Sequence, residues 1–187
     1  MSPEMFLDKF DIVKVVSSTL HSCHKGKLLN KYFDATSEYS DQIIEDIKTS
    51  QSQYEAIDRP TFCLVADDIL TQDFSKNNAL SFFATRFRHY IDFFIIATQS
   101  FRAVSGLIRN NATDIIITKQ QNQKELMKII EEYGSMFPSS DGAGDGEANL
   151  LKMYQEAHKE RYSFLYLKLS ENPPHAFIQF TTQIYPK

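Results

Sequence analysis

Residues 61–70, TFCLVADDIL, form an apolar run that contains two adjacent carboxylates near its end. A run of this length, with Arg59-Pro60 before it and polar residues after it, predicts a strand of a parallel sheet that is covered on both faces. Ionised side chains are costly to bury without a partner, so Asp67 and Asp68 are unsuited to packing. Ligands bind where strands exit an open α/β sheet, which makes this pair a candidate magnesium-nucleotide site. An ordinary surface turn is the simpler alternative.

Similar apolar segments recur along the chain and alternate with helix-compatible stretches. Strands are predicted over residues 10–16, 92–98 and 114–118, and helices around residues 41–47, 78–90, 103–109 and 123–133. This alternation predicts an α/β fold with a mostly parallel sheet and helices on both faces. For a chain of 187 residues, one domain spanning residues 1–187 is expected.

The C-terminal part of the chain has a different pattern. Residues 138–147, PSSDGAGDGE, predict a mobile loop, because no strand feeds directly into these glycines. A helix is predicted over residues 149–159. Residues 162–169 and 176–185 predict a C-terminal β-hairpin around the turn at residues 171–174, ENPP.

Composition and charge limit the classes of function. The two cysteines, Cys23 and Cys63, lie outside any C-x-x-C pattern, so neither a disulfide framework nor a zinc site is indicated. No apolar run reaches the roughly 20 residues of a membrane span. The net charge is −4, yet residues 75–119 hold six basic and two acidic residues, a local charge of +4. This segment indicates an anion-binding face or, alternatively, a set of scattered solvated side chains.

Four features follow one another in a fixed order. They are LVADD at residues 64–68, TRFRH at 85–89, an apolar run ending in TQS at 92–100, and GLIRNNATDIIITK at 106–119. Together they resemble the DNA-packaging ATPases of large double-stranded DNA viruses, the poxvirus-type branch of the FtsK/HerA superfamily of P-loop motors. The segments YSFLYLKL and HAFIQF resemble the closing strands of that family, so the resemblance spans nearly the whole chain.

The resemblance makes LVADD the Walker B segment. It implies that Asp67 holds magnesium, usually through water, and that Asp68 polarises the attacking water. Many relatives have Glu at the second position, so the shorter Asp68 departs from the pattern. Gln99 takes the place of the polar sensor that touches the γ-phosphate or the lytic water. Capping of a helix that begins near Arg102 is the alternative for Gln99.

The arginines also acquire implied roles. Arg86 or Arg88 is the leading candidate for an arginine finger that acts across a subunit boundary, because a guanidinium offers fixed bidentate donors to a phosphoryl group. Arg109 is the second choice. Arg102 is assigned to DNA phosphate, a contact that positions without reading sequence. A structural salt bridge is the competing account for each arginine.

The activity that the resemblance implies is hydrolysis of ATP with magnesium, coupled to translocation of double-stranded DNA into a capsid. It further implies a homo-oligomeric ring, a capsid or portal-vertex protein as partner, and a location in the host cytoplasm or the virion. Two alternatives remain open. One is a metal-dependent nuclease that uses Asp67 and Asp68, and the other is a degenerate, non-catalytic structural subunit of the same fold.

The sequence departs from the family at the phosphate-binding loop. A P-loop requires G-x-x-x-x-G-K-[ST], and the single Gly-Lys pair, Gly26-Lys27, is followed by Leu28. Family members place the P-loop strand ahead of the segment that matches residues 10–19. We therefore expect an N-terminally truncated chain that lacks the first P-loop strand, is inactive in isolation, and is poorly stable or oligomeric.

The same expectation concerns the sheet itself. In the family the P-loop strand lies between the strands that correspond to residues 92–98 and 114–118. Without it, we expect those two strands to pair directly, to leave a gap, or to take a strand from elsewhere, since unpaired backbone groups in a covered sheet are costly. A gap is expected to expose four side chains, namely Phe93, Ile95, Ile115 and Ile117.

The +4 segment predicts DNA binding that is weak, independent of sequence and sensitive to salt. Contacts to phosphates lose affinity at high salt because counterion release becomes less favourable. Fluorescence anisotropy with double-stranded oligonucleotides of different sequence, at about 50 mM and about 200 mM salt, measures this. Tight binding to one sequence that does not change with salt would contradict it.

Overall fold

The computed structural model describes residues 9–22, 24–69, 79–138 and 145–186. The chain forms two compact units, Met1–Asn111 and Ala112–Lys187. The single domain expected over residues 1–187 stays a prediction.

The first unit contains a four-stranded, all-parallel sheet. Its strands are β1 (Ile12–Ser17), β2 (Asp34–Thr36), β3 (Phe62–Asp67) and β4 (Phe93–Ala97), in the spatial order β2-β1-β3-β4. The predicted parallel α/β architecture is confirmed. The sequence analysis missed β2, because three residues are too few to show a strand periodicity.

Helices cover both faces of this sheet, as predicted. They are α1 (His24–Tyr32), α2 (Asp41–Gln51), α3 (Ala79–Arg86) and α4 (Gly106–Arg109). On one face, Ile44 and Ile47 of α2 and Phe83 of α3 pack against Leu64 and other apolar strand residues. On the other face, Leu29 of α1 packs with Val13, Val15 and Cys63. Cys63 is a free thiol whose burial raises its pKa to about 12.

Two predicted helices are shorter in the structure. The segment predicted over residues 78–90 is α-helical only to Arg86 and continues as a 3-10 turn over Phe87–His89, while residue 78 lies outside the described residues. The segment predicted over 103–109 is a 3-10 turn at Phe101–Ala103 followed by α4. Ser105 separates the two because its backbone is extended and its hydroxyl caps α4 by accepting the N–H of Ile108.

Gly26 lies within α1 and has a packing role. A Cβ built at this position would lie 1.7 Å from the carbonyl oxygen of Leu20, so only glycine permits this approach of the helix to the chain before it. The Gly26-Lys27 pair is therefore part of a helix–loop contact.

The second unit contains an antiparallel sheet with two helices. Its strands are β5 (Asp114–Ile117), β6 (Leu165–Lys168), β7 (His175–Ile178) and β8 (Thr182–Tyr185), in the order β5-β6-β7-β8. The predicted hairpin is present as β6 and β7. Its second arm, predicted over residues 176–185, is wrong as one strand, because the chain turns at Gln179 (φ 55°) and returns as β8.

The helices of this unit are α5 (Gln123–Tyr133) and α6 (Gly146–Ala157). The bounds of α5 match the prediction. Residues 139–144 of the predicted mobile loop lie outside the described residues. Gly146 and Glu147 belong to the first turn of α6, where the Asp145 side chain accepts the N–H of Glu147. Within the described ranges, no helix combines the length and apolar character needed to cross a bilayer.

The sheet membership of β5 corrects the sequence analysis. Residues 114–118 were expected to belong to the parallel sheet, but β5 pairs antiparallel with β6. An apolar run alone does not distinguish the two kinds of pairing. Among the described strands, β4 pairs only with β3 and β5 pairs only with β6, so β4 and β5 do not pair directly. Phe93 is 48% exposed. Ile117 was also expected to be exposed, and this expectation is wrong, because the residue is only 3% exposed.

A side-chain clasp joins the entrances of β1 and β3. The Asp11 carboxylate accepts hydrogen bonds from the hydroxyl and the backbone N–H of Thr61, both at 2.8 Å. The Thr61 hydroxyl in turn accepts the N–H of Asp11 at 2.9 Å. These hydrogen bonds lower the pKa of Asp11 below its ordinary value. The bond from the Thr61 hydroxyl makes the larger contribution and the bond from its backbone N–H the smaller one.

The clasp predicts a pH-dependent contribution to stability. Because the folded-state pKa is lowered, the stabilisation is present above the unfolded-state pKa of Asp11 and is lost as the pH falls through the folded-state value. We expect Asp11→Asn to lower Tm at pH 7 and to approach the wild type in strongly acidic buffer. Thermal melts across this range measure the difference, with Asp58→Asn as an exposed control. A constant difference at every pH would contradict the prediction.

Candidate functional site

The carboxyl ends of β1, β3 and β4 meet at one edge of the parallel sheet. The strands are in register there, with Ser17 beside Asp67 and Asp67 beside Ala97. The residues that follow the strands therefore lie together. We call the resulting group the strand-exit cluster, and it consists of Ser17, Ser18, Asp67, Asp68 and Gln99.

Asp67 is held by the neighbouring strand. The hydroxyl of Ser17 donates a hydrogen bond of 2.8 Å to Oδ2 of Asp67. Ser17 is only 1% exposed, so water does not compete strongly for this bond. The bond fixes one carboxylate oxygen and leaves Oδ1 directed elsewhere.

Asp68 occupies the first position after β3 and has a left-handed backbone, with φ of 53°. Asp tolerates this conformation better than most residues. Its N–H donates to the carbonyl of Ala97 at 2.9 Å, and its own carbonyl accepts the hydroxyl of Ser18 at 2.9 Å. The turn brings the carboxylate within 3.1 Å of Nε2 of Gln99. The two residues from successive strand exits are thus in direct contact.

Gln99 does not cap the following helical turn. The N-cap of the 3-10 turn Phe101–Ala103 is Ser100, and its side chain makes no cap hydrogen bond. The amide of Gln99 instead donates to Oδ2 of Asp68. The capping alternative is therefore not what the structure shows for Gln99, and its sensor role stays a prediction.

The oxygen atoms of the cluster are of the chemical type that binds magnesium. The hydrogen bonds from described residues use only Oδ2 of each aspartate, so Oδ1 of Asp67 and Oδ1 of Asp68 are available to a ligand. Proteins commonly bind Mg²⁺ through one or two carboxylates, and water and substrate phosphates complete the octahedron. In the described part of the chain, no three His, Cys, Asp or Glu side chains gather into a metal-binding group.

Arg86 and Arg88 lie at the opposite edge of the sheet. They belong to the segment that ends α3 and precedes β4, and both are exposed. The adjacent carbonyl of His89 accepts a hydrogen bond from Arg59, which precedes β3. Asp92 likewise accepts the N–H of Phe62 at the start of β3. These contacts place the arginines by the strand entrances, a full strand length from Asp67 and Asp68 of the same chain.

The other two candidate arginines follow β4. Arg102 is exposed and lies in the 3-10 turn just after Gln99, on the side of the strand exits. Arg109 donates to the carbonyl of Val104, and its guanidinium carbon lies 4.8 Å from the centre of the Phe101 ring. Arg109 is therefore engaged with its own loop.

Sequence reasoning missed Ser17 and Ser18 as site residues. The signal available was the polar segment Ser17-Ser18-Thr19 directly after an apolar run, which indicates a strand exit. Its contact with the aspartates depends on β1 lying next to β3 in register, and nothing in the local sequence specifies that pairing.

The parallel sheet, its covering helices and the carboxylates at the strand exit define a P-loop ATPase-like α/β fold. No family model matches the chain, and no curated protein matches it. Among solved structures, the chain is similar to B204, the DNA-packaging ATPase from Sulfolobus turreted icosahedral virus. The TM-score is 0.60 at 13% sequence identity, over 95% of this chain and 85% of that chain. The packaging-ATPase fold expected from the sequence is thereby supported.

The left-handed conformation of Asp68 predicts a graded series of stabilities. Asp68→Asn and Asp68→Gly should fold about as stably as the wild type, because both residues tolerate positive φ. Asp68→Ala should lower the free energy of unfolding by roughly 1 to 2 kcal/mol, which is the cost of this conformation for an ordinary residue. Urea denaturation measures the series. An alanine variant as stable as the glycine variant would show that the turn is not strained.

Proposed function

We propose that this chain carries the acidic half of the nucleotide site of a viral genome-packaging motor ATPase of the poxvirus type, in the FtsK/HerA superfamily. The observation that carries the proposal is the contact between residues from successive strand exits, Asp68 and Gln99, beside Asp67. Such a cluster suits a phosphoryl-transfer site, where catalysis consists mainly of positioning and charge stabilisation. The similarity to a DNA-packaging ATPase supports the same class.

Within this site each residue has a distinct role. Asp67 holds the magnesium ion, usually through water, and the ion when bound neutralises charge on the ATP phosphates. Asp68 orients and polarises the attacking water. Gln99 contacts the γ-phosphate or that water, and its bond to Asp68 keeps the two groups in one arrangement. Asp68 has a shorter reach than the Glu of many relatives, and its backbone is left-handed.

The arginines act between copies of the chain. Arg86 or Arg88 serves as the finger of a neighbouring subunit in a homo-oligomeric ring, because both lie by the strand entrances and are exposed. Arg109 is a weaker candidate, since its guanidinium already bonds within its own loop. Arg102, exposed near the strand exits, contacts the phosphate backbone of double-stranded DNA. A capsid or portal-vertex protein completes the proposed assembly, in the host cytoplasm or the virion.

The phosphate-binding loop is proposed to come from a segment outside these 187 residues. A strand that carries a P-loop would pair with the edge of β4, which has no second partner among the described strands. This proposal rests on that edge and on the absence of G-x-x-x-x-G-K-[ST] from these 187 residues.

The isolated chain is expected to hydrolyse ATP no faster than background. The lysine and backbone amides of a P-loop stabilise the charge on the phosphates in the transition state. Without them, the activation barrier is several kcal/mol higher. A phosphate-release assay on the purified chain checks this. Motor-like turnover that Asp68→Asn abolishes would reveal a phosphate site elsewhere in these 187 residues.

Nucleotide binding distinguishes the proposed ATPase from the two alternatives, a nuclease and a structural subunit. A fluorescent ATP analogue with magnesium should bind weakly, and Asp67→Asn should abolish the binding, while Asp46→Asn on the exposed face of α2 should not. Cleavage of DNA without ATP would favour a nuclease. A chain that neither binds nucleotide nor cuts DNA would be a structural subunit.

A further inference from the structure

Ser17 is a buried residue whose side chain contacts the carboxylate of Asp67. Its Oγ lies 2.8 Å from Oδ2 of Asp67 and 3.1 Å from Oγ1 of Thr19. A hydroxyl has one proton to donate, and an ionised carboxylate can only accept. Ser17 therefore donates to Asp67, and Thr19 donates to Ser17. The result is a directed chain of hydrogen bonds from Thr19 through Ser17 to Asp67.

This chain of bonds has a consequence for the geometry of Asp67. The backbone pairing of Ser17 with Asp67 fixes the two Cα positions, and the hydroxyl fixes Oδ2. The carboxylate plane is then defined, and Oδ1 has one direction. An aspartate at the end of a strand without such a donor could rotate about its side-chain bonds, since the terminal torsion of Asp is broad.

We propose that Ser17 is a positioning residue for the magnesium site, which turns Oδ1 of Asp67 toward the divalent cation and keeps it there. This inference rests on the proposed function. Residues that orient a ligand through a hydrogen bond commonly change metal affinity as strongly as some ligands do, by about 10-fold to 100-fold. Thr19 acts one bond further away and has a smaller effect.

The test measures the binding of Mn²⁺ alone to the purified chain. Electron paramagnetic resonance detects the bound ion. Ser17→Ala should weaken Mn²⁺ binding by about tenfold or more. Ser17→Thr, which keeps the hydroxyl on a β-strand residue, should restore most of the affinity. Thr19→Val should weaken binding less than Ser17→Ala, because the bond from Ser17 to Asp67 remains.

A second buried serine supplies the matched control. Ser81 is fully buried, and its hydroxyl lies 2.8 Å from that of Ser105 rather than against a carboxylate. Ser81→Ala should lower Tm to a similar extent as Ser17→Ala but leave Mn²⁺ binding unchanged. This comparison separates a positioning role from a merely structural one.

The outcomes distinguish the inference from the proposed function. If Ser17→Ala binds Mn²⁺ as the wild type does, while Asp67→Asn has lost binding, the inference is overturned and the proposed function stands. If the wild type binds no Mn²⁺, the proposed function is overturned and the inference falls with it. Equal weakening by Ser81→Ala and Ser17→Ala would also overturn the inference.

Discussion

The in-register parallel pairing of β1 with β3 is the constraint on which the first unit depends. It runs from Ile12 beside Phe62 to Ser17 beside Asp67, with no bulge between them. Because side chains alternate between faces, a shift of one residue would exchange the β3 side chains between the two helix-covered faces of the sheet. The same shift would separate Ser17 from Asp67. Packing of the core and geometry of the site are therefore fixed by one set of backbone hydrogen bonds.

The sequence predicted the parts of this architecture that depend on local pattern. The run at residues 61–67 is long and apolar enough to identify a covered strand, and α5 shows a clear helical period, so both were located correctly. The position of β5 could not be predicted in the same way. Its isoleucines suit either a parallel or an antiparallel neighbour, and the choice depends on β6, which lies more than 40 residues further along the chain.

In the candidate site, too, some residues could be predicted from the local sequence and others depend on distant strand pairing. Asp67, Asp68 and Gln99 could be singled out because polar residues after apolar runs mark strand exits. The serines could not, because their role depends on which strands are adjacent. The left-handed backbone of Asp68 could not be predicted either, since Asp occurs in many kinds of turn, and the hydrogen bonds with Ala97, Ser18 and Gln99 depend on the tertiary fold. The site is thus a product of strand order as much as of composition.

The opposite locations of the aspartates and of Arg86 and Arg88 limit the symmetry of any assembly that uses both. A finger contact would join the strand-entrance surface of one copy to the strand-exit surface of the next. If each pair of neighbouring copies shares one such contact, the interface is heterologous, because the two surfaces are different. Repetition of the contact gives a closed ring if the rotation between neighbours divides a full turn, and a helical filament if it does not. The angle between adjacent copies would then decide the stoichiometry.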